Sequence, residues 1–154
     1  MKREKKEPVN LTEAEIFRKK VPNYLICFND HCSRKEQCLR YLVGQYVDDS
    51  QLSCRSVNPR HRQVTAGQCP LFRQYQKVLK KRGMTRFYED MPSRIEHAIR
   101  QELIGGYNRR VYYEYRNGHR LLDSEEVDYI VGVCERHGWT APPVFDSEEE
   151  DYLW

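Results

Sequence analysis

Apolar residues recur along this chain in short clusters separated by turn-forming residues. No run approaches 18 uninterrupted apolar positions, so no membrane-spanning helix is predicted. Thr12 followed by Glu15 has the form of a capping box, and Ile16 and Phe17 give an apolar side to a first helix. That helix opens at Asn10 or Thr12 and ends by Val21, ahead of Pro22. Tyr24 to Phe28 reads as a short extended segment. Ser33 with Glu36 is a second capping-box pattern, predicting a helix over about 34–47 with Leu39, Leu42, Val43 and Tyr46 at helical spacing and Cys38 in its second turn. From Asp48 to Gln68 the pattern is irregular, broken by Asn58-Pro59 and Ala66-Gly67. A connection this long needs something to hold it.

The second half predicts more elements. Cys69-Pro70 opens a helix, with Pro70 at the first helical position, Leu71, Phe72, Tyr75, Val78 and Leu79 as its apolar side, and Gly83 as its stop. Pro92 begins another that runs to Ile104 and is stopped by Gly105-Gly106. Arg110 to Tyr115 alternates, and Asn117-Gly118 is a two-residue hairpin signal, so a β-ribbon returning to Leu122 is predicted. Asp123 with Glu126 caps a last helix to about His137, with Val127, Ile130, Val131 and Cys134 on one stripe. The predicted fold class is mostly α (α+β): a small helical domain with a cysteine-rich metal-binding loop region and one C-terminal β-hairpin. One domain spans 10–140, its cysteine-rich part at about 21–83 and its helix–hairpin–helix part at about 91–139. A basic flexible N-terminus (1–9) and an acidic tail (141–154) flank it.

Composition changes this picture in two ways. First, 154 residues with 39% apolar content suffice for one core. The basic start Met1–Glu7 is followed by no apolar run, so a secretory signal is not expected, and the expected location is cytoplasmic. In a reducing compartment six cysteines call for burial, metal or redox chemistry rather than a disulfide framework. Second, the net charge of +3 conceals an asymmetry. Residues 1–90 hold 19 Lys/Arg against 10 Asp/Glu, and residues 91–154 hold 7 against 13. No Asp or Glu occurs from Ser50 to Tyr88, whereas Asp146–Asp151 is strongly acidic. Within the basic window, Arg55, Arg60, Arg62, Lys77, Lys80, Lys81, Arg82 and Arg86 are candidate phosphate contacts for DNA or RNA. A solvated basic face, or one paired with the acidic tail, would carry the same pattern.

The cysteines supply the candidate chemistry. Five of the six fall within residues 27–69, at spacings Cys27-x4-Cys32-x5-Cys38-x15-Cys54-x14-Cys69. Tetrahedral zinc takes four Cys or His ligands and a [4Fe–4S] cluster takes four cysteines. The preferred ligands are Cys27, Cys32, Cys38 and Cys69, with Cys54 able to replace Cys69. The C-x2-C pairs of common zinc fingers are missing, and so is the ferredoxin run; the Cys69-Pro70 pair leans toward iron. Placed at a helix N-cap, a Cys69 thiolate would face unpaired N–H groups, which suits a ligand or a reactive thiol. The competing reading is buried or incidental thiols, and Cys134, on an apolar stripe, reads as core. No phosphate loop, H-E-x-x-H, G-x-S-x-G or dinucleotide glycine signature is present, so no catalytic residue is assigned. Arg116-Asn117-Gly118-His119 at the expected ribbon tip resembles the wing of a winged-helix reader, though the acidic last helix is poorly suited to face DNA.

Cys27-Phe28-Asn29, Cys32, Cys38-Leu39-Arg40, Cys69-Pro70-Leu71-Phe72-Arg73 and the Gly106–Gly138 stretch together carry a resemblance. The chain is similar, over most of its length beyond residue 20, to a family of small uncharacterised proteins from Bacteroides-like gut bacteria, classed as a domain of unknown function. The resemblance implies a bacterial, intracellular setting and assigns no role to any cysteine. The expectation is therefore a metal- or iron–sulfur-stapled nucleic-acid-binding or regulatory protein, non-catalytic. The alternatives are a structural or protein–protein interaction module with a zinc site, and an iron–sulfur redox or sensor protein. No membrane partner is expected.

Overall fold

A computed structural model describes residues 11–154, and the expected N-terminal segment 1–9 lies outside the described residues. The first helix, α1 (Glu13–Lys20), begins as its residues dictate. The Thr12 hydroxyl accepts from Glu15 N at 3.3 Å while Glu15 Oε2 accepts from Thr12 N at 2.8 Å, a reciprocal capping box. Acidic residues open α1 and Arg18, Lys19 and Lys20 close it, matching the helix dipole. Phe17 is its buried anchor. A 3-10 turn, Val21–Asn23, follows, and the chain then extends through Ile26.

The chain divides into two units, the first comprising the described residues to Gln76 together with Leu153–Trp154, the second Lys77–Tyr152. In the first unit the predicted helix over 34–47 is interrupted. A 3-10 turn at Lys35–Gln37 gives way to Cys38 in extended conformation, and α2 is only Leu39–Gly44. The Ser33/Glu36 cap does not form, because the backbone at Cys38 serves a different partner: Cys38 forms an antiparallel bridge with Gln74. Leu39 N donates to Arg73 O at 2.7 Å, and Tyr75 N to Gln37 O at 2.8 Å. The long loop carries one four-residue helix, α3 (Arg62–Thr65), capped by His61. The helix expected from Cys69 is absent; Cys69–Phe72 is a turn. The core of this unit holds Phe17, Val21, Tyr24, Ile26, Leu39, Val43, Val57 and Val64. Trp154 packs edge-on against Phe17 and Tyr24, with centroids 6.1 and 5.4 Å away.

The second unit is built on a three-stranded antiparallel sheet of order β2-β1-β3, with β1 Lys77–Arg82, β2 Leu121–Leu122 and β3 Ser147–Tyr152. Two expectations are corrected here. Residues 77–82 form the central strand rather than a helix. Alternation along β1 buries Lys80, while Leu79 stays 64% exposed, so the apolar positions that suggested a helical stripe are not a buried face. The expected C-terminal hairpin is likewise absent: Arg109–Arg116 is a helix, α5, burying Tyr112 and Tyr115 three residues apart. Arg110 and Glu114 pair at i, i+4, and Asn117-Gly118 ends this helix, with Gly118 at φ 74° as its left-handed stop. Helix α4 (Ser93–Tyr107) continues through Gly105-Gly106, and Asn108, at φ 67°, breaks it from α5. Helix α6 (Ser124–Arg136) forms as predicted, Asp123 and Glu126 making the capping box. One core joins Met84, Phe87, Ile99, Leu103, Tyr112, Leu122, Ile130 and Val133. The molecule is thus mostly helical with a minor sheet. No helix among the described residues is long and apolar enough to cross a membrane.

Candidate metal centre

Backbone pairing gathers the cysteine segments of the first unit. Ile26 N donates to Arg55 O and Val57 N to Ile26 O, tying the segment before Cys27 to the long loop. Cys27 N donates to Arg40 O at 2.9 Å, fixing Cys27 against α2. Gly44 permits this approach, since a Cβ there would stand 2.6 Å from the Cys27 carbonyl oxygen. The Cys38–Gln74 bridge draws the chain leading from Cys69 alongside. As a result Cys27, Cys32, Cys38 and Cys69 line a single pocket, walled by Val57, Val64, Leu71 and Phe72. Cys54, exposed, is not part of it, and Cys134 is buried in the other unit's core, where burial pushes its thiol up to about 11.

All six cysteines are free thiols. Among the described residues no three His, Cys, Asp or Glu side chains form a set that could hold a single metal ion as they stand. The four thiols border a common space instead of meeting at a point. Cys27 shows their proximity electrostatically. Burial raises its thiol above the ordinary value, the Asn29 N–H donating to its sulfur at 3.5 Å works against that rise, and Cys38, Cys69 and Cys32 add to it through charge repulsion. His31, exposed, is absent from the pocket lining.

Two residues that the sequence pattern did not single out complete the site. Arg40 is 9% exposed and lines the pocket. Its Nε donates to Leu71 O at 2.6 Å and its Nη1 to Leu25 O at 2.8 Å, and its guanidinium lies 5.0 Å from the Tyr24 ring centre. No carboxylate among the described residues pairs with it. Arg34 stacks 4.2 Å from the Phe72 ring centre and donates to Gly67 O, while its Nε is buried without a hydrogen-bond partner. A buried cation held only by neutral carbonyls is costly unless an anion faces it. The helical signal for Arg40 was present: it lies three and four residues before the buried Val43 and Gly44, on the inward face of α2.

The candidate phosphate contacts separate into two groups. Arg55, Arg60 and Arg62 are exposed on the long loop of the first unit and make no ion pair among the described residues. In the second unit, β3 lays its acidic residues beside β1. Lys80 pairs with Asp151 at 2.9 Å, Lys81 with Glu148, and Arg82 with Glu149 at 2.8 Å. Lys77 lies 5.4 Å from the Tyr152 ring centre, and Arg86 pairs with Glu89 at 3.1 Å. The acidic tail therefore meets the basic strand within the chain.

The chain belongs to a family of unknown function, DUF6078, whose model matches residues 11–154. That description carries no activity or cofactor. Comparison with curated proteins and with solved structures gives no match.

Proposed function

We propose that this chain is a non-catalytic, metal- or iron–sulfur-stapled module in which Cys27, Cys32, Cys38 and Cys69 hold a [4Fe–4S] cluster or a zinc ion. The observation that carries this reading is that four cysteines line one pocket together with Arg40 and Arg34, neither of which pairs with a carboxylate among the described residues. Four thiolates around a divalent ion, or around a 2+ cluster, carry a net charge of about −2 by formal charge count. That charge would supply the anion the two arginines lack, and the Asn29 N–H pointing at the Cys27 sulfur is a hydrogen bond of the kind that tunes such centres. A cluster would take one sulfur at each iron. A zinc ion, at about 2.3 Å from every sulfur, needs them drawn together. In either form the centre ties the long loop to α2, which is what a loop of that length needs.

A second reading concerns partners. Arg55, Arg60 and Arg62 stand exposed on that loop with no ion pair among the described residues, so contact with nucleic-acid phosphates falls to them in preference to Lys80, Lys81 and Arg82. The test of the stapling role is thermal unfolding of anaerobically purified protein with and without a strong chelator. A metal-stapled first unit loses about 10 °C or more of Tm on metal removal. An unchanged, cooperative transition after complete chelation overturns the reading.

A further inference from the structure

One side chain connects the segments that carry the cysteines. Arg40 lies two residues after Cys38, and its main-chain carbonyl accepts from Cys27 N at 2.9 Å. Its guanidinium reaches the flanks of two other cysteines. Nη1 donates to Leu25 O at 2.8 Å, two residues before Cys27, and Nε donates to Leu71 O at 2.6 Å, two residues after Cys69. Three of the four cysteines that line the pocket are thus tied through one residue. Nη2 makes no hydrogen bond among the described residues, so Arg40 keeps two N–H groups for the contents of the pocket it lines. Burial distinguishes it from the other cations there. Arg40 is 9% exposed, whereas Arg34 and Lys35 are half-buried and better screened by water. Arg34 rests on Phe72, and Lys35 Nζ donates to Asp30 O at 3.0 Å.

We propose that Arg40 is the positioning and charge-selecting residue of the centre: it holds the Cys27, Cys38 and Cys69 segments together before metal arrives, and favours the centre's more negative state once metal is bound. The proposal rests on the metal-binding reading above. A guanidinium presents its donors in a rigid planar fork, so carbonyls from two distant segments are fixed relative to one plane. A lysine supplies the charge without the fork. On accepting one electron, a [4Fe–4S] centre with four thiolates goes from about −2 to about −3 by formal charge count, and a single ferric ion on the same thiolates from about −1 to about −2. In both cases the added negative charge lies in a pocket walled by a buried cation that no carboxylate neutralises among the described residues. The reduced state therefore gains more from Arg40 than the oxidised state does.

The experiment compares the full chain as wild type, Arg40→Lys and Arg40→Met in two states. In the metal-free state, prepared with a chelator and a thiol reductant, amide hydrogen exchange is read by NMR. Wild type is expected to protect the Cys27, Leu39 and Tyr75 amides, whose acceptors are Arg40 O, Arg73 O and Gln37 O. Both variants should exchange them about tenfold or more faster, because neither side chain bridges Leu25 and Leu71. In the iron-loaded state, reached by anaerobic addition of ferrous iron and sulfide, the centre is titrated with dithionite. Arg40→Met is expected to shift the reduction equilibrium about tenfold or more towards the oxidised centre, about 59 mV for one electron, and Arg40→Lys to stay within about twofold of wild type. A merely structural role would move the lysine and methionine variants together. Unprotected amides in metal-free wild type, protection kept by either variant, or a tenfold shift in Arg40→Lys overturns the proposal. The first and last of these decide it even where Arg40→Met does not fold. The metal content of wild type reports separately on the underlying reading. Protein that takes up neither iron nor zinc removes the stapling function and the charge selection with it, while faster exchange in both variants would still assign to Arg40 the joining of the three segments.

Discussion

Burial and charge give individual side chains in this protein distinct tasks. Among the cysteines, the prediction separates positions that look alike in the sequence. Cys27→Ser or Cys38→Ser should abolish stoichiometric metal binding, whereas Cys54→Ser should leave metal content within error of wild type, as read by elemental analysis of purified protein. Glu126 supplies a second case. Its carboxyl is raised to about 7, first by burial and then by the hydrogen bond and charge of Asp123, whose own carboxyl is held below the ordinary range by that same bond. The folded state therefore keeps a proton on this pair that the unfolded chain releases at lower pH. The resulting stability is present below the ordinary glutamate range and is lost as pH rises through about 7. Glu126→Gln keeps the cap and removes the titration, so Tm measured from pH 5 to 8 should fall less steeply in the variant than in wild type. Equal slopes would show that Glu126 titrates normally.

Elements reveal where the sequence was legible and where it was not. Helices α1 and α6 were readable because a local signal, the reciprocal cap, coincided with an apolar stripe that is buried. Spacing left Cys54 and Cys69 open as the fourth member, and Cys69 reaches the pocket lining from a turn and not from the helix N-cap expected of it. The failures share one cause, a non-local partner overriding local pattern. Lys77–Arg82 has helical composition, yet it pairs along its length with an acidic strand about 70 residues away in sequence, which no local rule contains. Arg110–Tyr115 alternates like a strand, yet Asn117-Gly118 supplies a helix stop as readily as a hairpin turn, and burial of Tyr112 and Tyr115 decides between them. Cys38 left the expected helix because its backbone bridges Gln74.

Tyr152, 2% exposed at the end of β3, anchors the acidic strand, and Tyr152→Ala should cost about 3 kcal/mol or more in urea unfolding. A loss under 1 kcal/mol would mean that the β1–β3 ladder does not depend on this anchor. Gly44→Ala places a methyl carbon against the rigid Cys27 backbone rather than a yielding side chain. It should therefore both destabilise the first unit, by about 1–3 kcal/mol, and lower its metal content. Full occupancy and unchanged stability would show that α2 and the Cys27 segment separate freely.

For the whole molecule, charge and metal are the two global quantities. The net charge of +3 divides between a first unit whose loop arginines make no ion pair among the described residues and a second unit whose basic strand is met by its own acidic strand. Charge reversal at Arg55, Arg60 and Arg62 should therefore abolish any salt-dependent binding to a mixed-sequence RNA or DNA probe, while Lys81→Glu with Arg82→Glu should change it little. The opposite order would assign polyanion contact to β1. Elemental analysis with an absorption spectrum, on protein purified without oxygen, tests most directly whether the cysteine pocket is a metal centre. The prediction is a metal held by Cys27, Cys32, Cys38 and Cys69: about four iron per chain with a broad visible band, or about one zinc without colour. Protein that is folded, has all four thiols free to titrate and contains neither metal would contradict it.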